Sequence, residues 1–180
     1  MTETTIEAII LTINALGAGI LLFVSGVEQK IMDKLEPLEF KKHLNMLNPA
    51  AMRDPFAVSI ATIPILVVIF YLVKYGFHQW WFVAGIILWM IGASITKVTN
   101  MPVYIWVADP KNTDPEELKK QRRKLALGNH WRAWITLLSI VVMSCQFSVK
   151  WTLISVASLV IITYPALWLS EKYIPNGTKH

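Results

Sequence analysis

The chain is poor in charged residues and in cysteine, and each shortage excludes particular classes of protein or kinds of site. Charged residues make up 16% of its 180 residues, whereas 54% are hydrophobic; soluble globular domains carry about 25% charged residues. Cys145 stands alone, which excludes a disulfide framework, a Cys-x-x-Cys redox pair and a cysteine-based zinc site. The formal charge of +5 comes from basic residues interspersed with acids in connecting segments, which indicates a membrane surface and no nucleic acid.

Two further absences concern targeting and repetition. The first apolar segment is flanked by Glu3 and Glu7 where a signal peptide would be basic, and no A-x-A-like processing site follows it. We therefore expect a retained membrane helix. No internal repeat is evident, so a duplicated transporter fold finds no support.

Five apolar segments predict a single all-α domain over residues 1–180, an integral membrane helical bundle. Each segment is long enough, or nearly so, to cross about 30 Å of hydrocarbon at about 1.5 Å per residue. We expect a four-helix core plus a fifth, C-terminal transmembrane helix. The predicted spans are 6–28, 55–74, 79–101, 131–149 and 151–170, with inner loops 29–54 and 102–130.

Basic residues are distributed unevenly between the two sides. With the N-terminus outside, only Lys74 and Lys150 lie outside and every other lysine and arginine lies inside. The positive-inside rule therefore predicts a cytoplasmic C-terminus, and we expect the plasma (inner) membrane.

Proline, glycine and capping residues predict local structure in the inner connections. Pro37 fits the first turn of a partly amphipathic helix, and Asp114 with Pro115 fits the start of another. Pro102 should end the third span at Met101, because the residue before proline is steered away from helical dihedrals.

The positions of the glycines lead to two further structural predictions. Gly19 and Gly26 share one face of the first span with other small residues, which predicts close helix contact there. Gly128 predicts a flexible point before the fourth span.

Polar residues persist at the ends of two spans. Asn100 closes the third segment and Asn129, His130 and Arg132 open the fourth. Because hydrocarbon leaves polar groups unsatisfied, such residues usually face a bundle interior or a wet cavity. The predicted topology brings one set of candidates to the same inner end: Glu28, Lys97, Asn100, His130 and Arg132.

These side chains allow more than one role. Glu28 and His130 are candidate bases, and with His43 they form a two-histidine, one-carboxylate set of the kind that binds non-haem iron. The interpretation that we favour for Glu28 is an interfacial carboxylate held in a salt bridge. Arg132 could bind an anionic or phenolate oxygen, or extend to a lipid phosphate. We predict no functional role for His78 or for His180.

Four motifs, in order, cover most of the chain from residue 17 to about residue 136. They are GAGILLFVSGVE, FKKHLNMLNPAAMRDPF, TNMPVYIWVADP and GNHWRAWIT. In these the chain resembles a family of small membrane proteins related to fungal anthrone oxygenases, much of it long catalogued as a domain of unknown function. Two positions depart from the pattern: Tyr104 stands where a second Asn is usual, and Gly128 where Trp is common.

The resemblance implies a four-helix bundle and, for some members, oxygenation of an anthrone-type polyketide to a quinone. Such chemistry needs a base, for which His130 and Glu28 are the candidates. It also needs a polar site for the enolate. The candidates for substrate binding are Asn100, Asn129, Arg132, Tyr104 and Lys97. The cofactor prediction stays open between none and iron or copper.

Two other interpretations stand beside the oxygenase. The chain could be a non-enzymatic helical subunit or scaffold of a membrane complex, or it could bind a lipid or hydrophobic metabolite without chemistry. The expected partners are the lipid bilayer and a hydrophobic small molecule, with a homo-oligomer or a membrane complex as further options. Tyr71 and Trp89 are interpreted as lipid-facing or packing residues.

Overall fold

In the computed structural model, which describes residues 2–173, the chain folds into six helices. Two of them contain a short π-helical stretch, Val24–Glu28 in the first and Thr96–Asn100 in the fourth. The helices are α1 (Glu3–Lys34), α2 (Pro37–Arg53), α3 (Pro55–Tyr75), α4 (Trp80–Ala108), α5 (Pro115–Ser144) and α6 (Val149–Tyr173).

The helix starts follow from side-chain caps and first-turn prolines. The Asp54 carboxylate accepts from the Ala57 N–H at 2.7 Å, and the Asp114 carboxylate from the Glu116 N–H at 3.2 Å. Each cap satisfies a backbone donor that the helix itself cannot. The predictions that Pro37 begins an amphipathic helix and that Asp114 caps the next are confirmed.

The expectation that Pro102 ends a helix is wrong. Met101 keeps helical dihedrals, φ −58° and ψ −44°, and α4 runs on to Ala108. The π-helical turn just before the proline restarts the α-helical bonding pattern, so Pro102 falls in a first turn where its missing N–H is tolerated. The inner connection 102–130 is therefore mostly helical.

Gly128 does not interrupt its helix either, since α5 is continuous from Pro115 to Ser144. A short turn then separates α5 from α6, which confirms that the last two apolar segments are distinct helices.

The predicted all-α membrane bundle is confirmed. α4 lies along α5 in the most extensive contact, and α1 packs against both α3 and α5. These four helices form the core, and α6 touches mainly α5 and is exposed along almost its whole length.

Within residues 2–173, four helical segments are long and apolar enough to cross a membrane. They match four of the five predicted spans and are Glu3–Lys34, Pro55–Tyr75, Trp80–Ala108 and Val149–Ser170. The remaining predicted span, the fourth in chain order (131–149), coincides with the second half of α5, a helix that begins with a polar turn at Pro115 and ends at Ser144. Its crossing and the orientation of the chain stay predictions.

Close helix contact occurs on α4 and not where it was predicted. Around Gly19 and Gly26 nothing lies within 4 Å of an added Cβ, because that face of α1 is exposed, so that prediction is wrong. A Cβ on Gly85 of α4 would instead lie 2.8 Å from the Ser139 carbonyl oxygen and 3.0 Å from the Met143 nitrogen. The backbones of α4 and α5 therefore touch at Gly85.

The buried residues form two apolar clusters, one toward each end of the bundle. The first joins α1, α3, α4 and α5 and consists of Ile6, Ile10, Val68, Tyr71, Phe82, Ile86 and Met143. The second seats α2 on α4 and α5 and consists of Met32, Phe40, Leu44, Val103, Val107, Leu118 and Leu125. Between the clusters lies the region that holds the candidate site.

Candidate functional site

A cavity of about 320 Å³, here called the bundle cavity, lies between α1, α3, α4 and α5. Its walls are mostly apolar and include the ring of Trp89. On α1 the lining runs from Ile13 to Leu21, just over two helical turns or about 12 Å along the axis. Trp89, interpreted from sequence as a lipid-facing or packing residue, therefore faces a space large enough for a small ligand.

Arg132 brings a positive charge to this cavity. Its Nη1 donates to the Thr96 hydroxyl at 3.0 Å, and the Thr136 hydroxyl donates back to the Arg132 carbonyl at 2.8 Å. The buried Nε of Arg132 has no hydrogen-bond partner among residues 2–173. The described lining residues include no carboxylate that would neutralise the guanidinium.

Asn14 adds a second unsatisfied group to the lining. Its side chain is only 2% exposed, and its Nδ2 makes a long contact of 3.9 Å to the Met143 sulfur. The Asn14 Oδ1 has no partner within the described part of the chain. Two residues of the lining therefore carry a buried donor and a buried acceptor that are unused, and each is costly to leave unpaired.

Beside Arg132, on the α2 side, a chain of amides joins three helices. Asn100 Nδ2 donates to Asn129 Oδ1 at 2.8 Å, Asn129 Nδ2 to Gln29 Oε1 at 3.2 Å, and Gln29 Nε2 to Asp33 Oδ1 at 2.9 Å. The three amide side chains are at most 5% exposed. The structure thus brings the predicted Asn100 and Asn129 together, but they mainly bond each other.

The buried chain of amides fits between the helices because residue 128 is a glycine. A Cβ at Gly128 would overlap the Asn100 Oδ1 and lie 2.9 Å from the Thr99 methyl. Glycine at this position therefore makes room for the Asn100 amide. Sequence reasoning missed Gln29, for which the helical spacing from Asp33 was the available signal.

Glu28 and His43 form a pair at the end of the π-helical stretch of α1. His43 Nε2 lies 2.5 Å from Glu28 Oε1, and both side chains are partly exposed. This matches the interpretation of Glu28 as a carboxylate held in a salt bridge. Neither residue lines the bundle cavity.

The remaining candidates lie apart from the cavity. His130 is exposed on α5, with its ring centroid 5.9 Å from that of Trp131, and Lys97 is exposed on α4. Tyr104 lines a separate cavity of about 310 Å³ between α2 and α4, together with Asn45. The structure does not gather the predicted catalytic pair, His130 and Glu28, around the bundle cavity.

The predicted metal set is not assembled either. Across residues 2–173, no three His, Cys, Asp or Glu side chains converge as a metal ion would require. His43 and Glu28 supply two neighbouring donors, but His130 faces outward on α5.

A polar cluster at the far end of the bundle was not predicted. The Tyr71 hydroxyl donates to Glu7 Oε1 at 2.9 Å and lies 3.3 Å from Glu3 Oε1, and His78 Nε2 lies 3.1 Å from the same Glu3 oxygen. Tyr71 is fully buried and Glu7 is 3% exposed. The signal in the sequence was Glu7 itself, an ionisable residue within an apolar segment, one turn after Glu3.

These features define a class of protein, an all-α membrane bundle with a mostly apolar cavity between its four core helices. The cavity lining includes the polar residues Arg132 and Asn14. The chain matches no family model, no curated protein and no solved structure.

Proposed function

We propose that this protein binds a hydrophobic aromatic molecule of polyketide type in the bundle cavity, with an oxygen of that molecule held by Arg132. The observation that supports this most directly is the unpartnered Nε of Arg132 in a cavity whose described lining has no carboxylate. A guanidinium in an apolar site favours an anionic or phenolic oxygen, because charge-assisted hydrogen bonds are strong there.

Size and shape agree with such a ligand. A volume of about 320 Å³ falls at the lower end of the range for small-molecule sites, roughly 300–1,000 Å³. The two-turn length of the lining suits two or three fused rings, and Trp89 offers an aromatic wall. Asn14 Oδ1 can accept from a hydroxyl on the same molecule.

The finer proposal, taken from the family resemblance, is that the bound molecule is an anthrone-type substrate that reacts with oxygen. Arg132 would stabilise the enolate oxygen that forms when the ring C–H is removed. His130 and Glu28, the bases predicted from sequence, do not line the cavity, so the geometry supports the binding step more directly than the proton transfer. The reaction would consume one O2 and release one water for each anthrone oxidised to a quinone.

The test is binding of 1,8-dihydroxyanthrone to the full chain in lipid nanodiscs under nitrogen. We expect Arg132→Gln to weaken binding by about tenfold to a hundredfold, the value of a buried charge-assisted hydrogen bond. Arg53→Gln, which removes an exposed arginine from α2, is the matched control and should bind as the parent chain does.

Oxygen uptake then separates the two levels of the proposal. Binding that depends on Arg132, with uptake above that of empty nanodiscs, supports an oxygenase. Binding without uptake supports a ligand-binding protein. Equal affinity in the two arginine variants would contradict the proposed site and would favour the alternative role as a helical subunit of a membrane complex.

A further inference from the structure

A second recess, here called the basic groove, lies outside the four-helix core where the end of α1 meets the first half of α5. It has a volume of about 490 Å³ and is lined by Asp33, Lys119, Arg122, Arg123, Ala126 and Leu127. We infer that the basic groove binds the phosphate headgroup of an anionic phospholipid whose acyl chains lie along Leu127 and Trp131.

Charge on the groove favours an anion. Arg123 is exposed and makes no hydrogen bond or close ion pair among the described residues, although the exposed Glu116 carboxylate attracts it as well as Lys119. Lys119 is held only by an exposed ion pair with Glu116 at 2.8 Å, which a ligand can replace at little cost. The one carboxylate in the lining, Asp33, already accepts from Gln29 at 2.9 Å.

Arg122 gives the groove a fixed wall. Its Nη1 donates to the Met32 carbonyl at 2.9 Å and to the Leu35 carbonyl at 2.6 Å, where the chain turns from α1 to α2. The guanidinium also lies over the Phe40 ring, 5.8 Å from its centroid. Arg122 therefore positions the recess, and Lys119 and Arg123 are the cations free to meet a ligand.

Apolar side chains continue from these cations along the same face of α5. Arg123, Leu127, Trp131 and Trp134 follow one another at helical spacing. Leu127 is 59% exposed, and Trp131 and Trp134 are each 53% exposed. Cations followed by exposed leucine and tryptophan match the order of a phospholipid, with phosphate first and acyl chains next.

This order separates a lipid from free phosphate as the source of the anion. A soluble phosphate would use Lys119 and Arg123 alone, whereas a phospholipid would also cover Leu127 and Trp131. The predicted topology places this end of α5 on the cytoplasmic side, where anionic lipids are enriched.

The experiment is titration of the delipidated full chain in mild detergent with phosphatidylglycerol and with phosphatidylcholine, followed by native mass spectrometry. The groove variant carries Lys119→Gln with Arg123→Gln. The matched control carries Lys120→Gln with Lys124→Gln, which removes the same charge at the same spacing on the same helix, outside the groove. Each near-surface cation contributes about fivefold, so we expect phosphatidylglycerol affinity to fall about 25-fold in the groove variant.

The control variant should keep near-parental affinity, and phosphatidylcholine should bind weakly to all three proteins. An equal loss in both double variants would mean diffuse attraction to a basic helix and would overturn the site. Displacement of the lipid by glycerol phosphate at equal concentration would overturn the choice of a lipid.

Thermal unfolding without lipid checks that each variant folds. If the groove variant unfolds early, Arg123→Gln and Lys124→Gln, each alone, repeat the comparison. Leu127→Asn should weaken the binding of phosphatidylglycerol and leave any binding of glycerol phosphate unchanged.

Discussion

The two ends of the four-helix core are closed by different means. At one end, called here the carboxylate end, Tyr71 belongs to a buried apolar cluster and donates to Glu7, and α4 touches the α5 backbone at Gly85. At the other, the amide end, Asn100 and Asn129 link α4 and α5 through neutral amides.

The difference shows what each end can tolerate. Two backbones in contact cannot move apart easily, so a larger side chain at the carboxylate end should destabilise the fold. Amides carry both a donor and an acceptor, so the amide end joins three helices without burying a charge and should fail when one partner is removed. The bundle cavity lies between a sterically closed end and a hydrogen-bonded end.

The largest effect should come from adding volume at Gly85. Gly85→Ala places a methyl group against the Ser139 carbonyl and the Met143 nitrogen, which the helix backbone holds in place. We expect a loss of about 3 kcal/mol in the free energy of unfolding, at the upper end of overpacking costs. Reversible unfolding in mixed micelles measures it.

Gly19→Ala is the control for that experiment, because nothing lies within 4 Å of its added Cβ. It should leave stability near that of the parent chain or raise it slightly, since alanine favours helix. Equal destabilisation by both substitutions would contradict the close approach of α4 to α5.

The second effect, at the amide end, should be smaller. Asn129→Leu keeps the number and branching of the side-chain heavy atoms, with bulkier methyl groups, and leaves the Asn100 Nδ2 and the Gln29 Oε1 without partners. We expect a loss of about 1–2 kcal/mol, since hydrogen bonds between membrane helices contribute less than the full desolvation cost.

A double-mutant cycle sharpens that prediction. Asn100→Leu with Asn129→Leu should cost less than the sum of the two single changes, because it removes a donor and its acceptor together. Strict additivity would show that the two amides do not interact.

Most of the fold could be predicted from composition, length and caps. Apolar segments specify membrane helices directly, and Asp114 before Pro115 is a local signal that needs no tertiary knowledge. Pro102 was misjudged because a π-helical turn upstream changed which position the proline occupies. Only the structure reveals that turn.

The candidate site was harder to predict, since it depends on helix rotation. Arg132 and Asn129 are three residues apart, yet Arg132 lines the bundle cavity while Asn129 bonds within the amide chain. His130, between them, faces outward, since neighbouring positions on a helix point in different directions. Tyr71 and Glu7 come from different helices, and no sequence spacing relates them.

The smallest of these effects should come from Tyr71→Phe at the carboxylate end. The ring stays in the apolar cluster and keeps its contact with Phe82, whose centroid lies 5.0 Å away, so only the hydroxyl is lost. Glu7 loses the bond at 2.9 Å and Glu3 the contact at 3.3 Å, but both carboxylates lie close to the start of α1, where the positive end of the helix dipole favours a negative charge. We expect a loss of about 1 kcal/mol or less in the free energy of unfolding.

Tyr164→Phe, on the exposed helix α6, is the control and should have no measurable effect. If Tyr71→Phe cost more than Asn129→Leu, the ranking of the two ends would reverse. The carboxylate end would then depend on its hydrogen bonds more than on its packing. A loss confined to Tyr71→Phe and smaller than that of Asn129→Leu would support the opposite view, in which the apolar cluster and the contact at Gly85 already hold this end together.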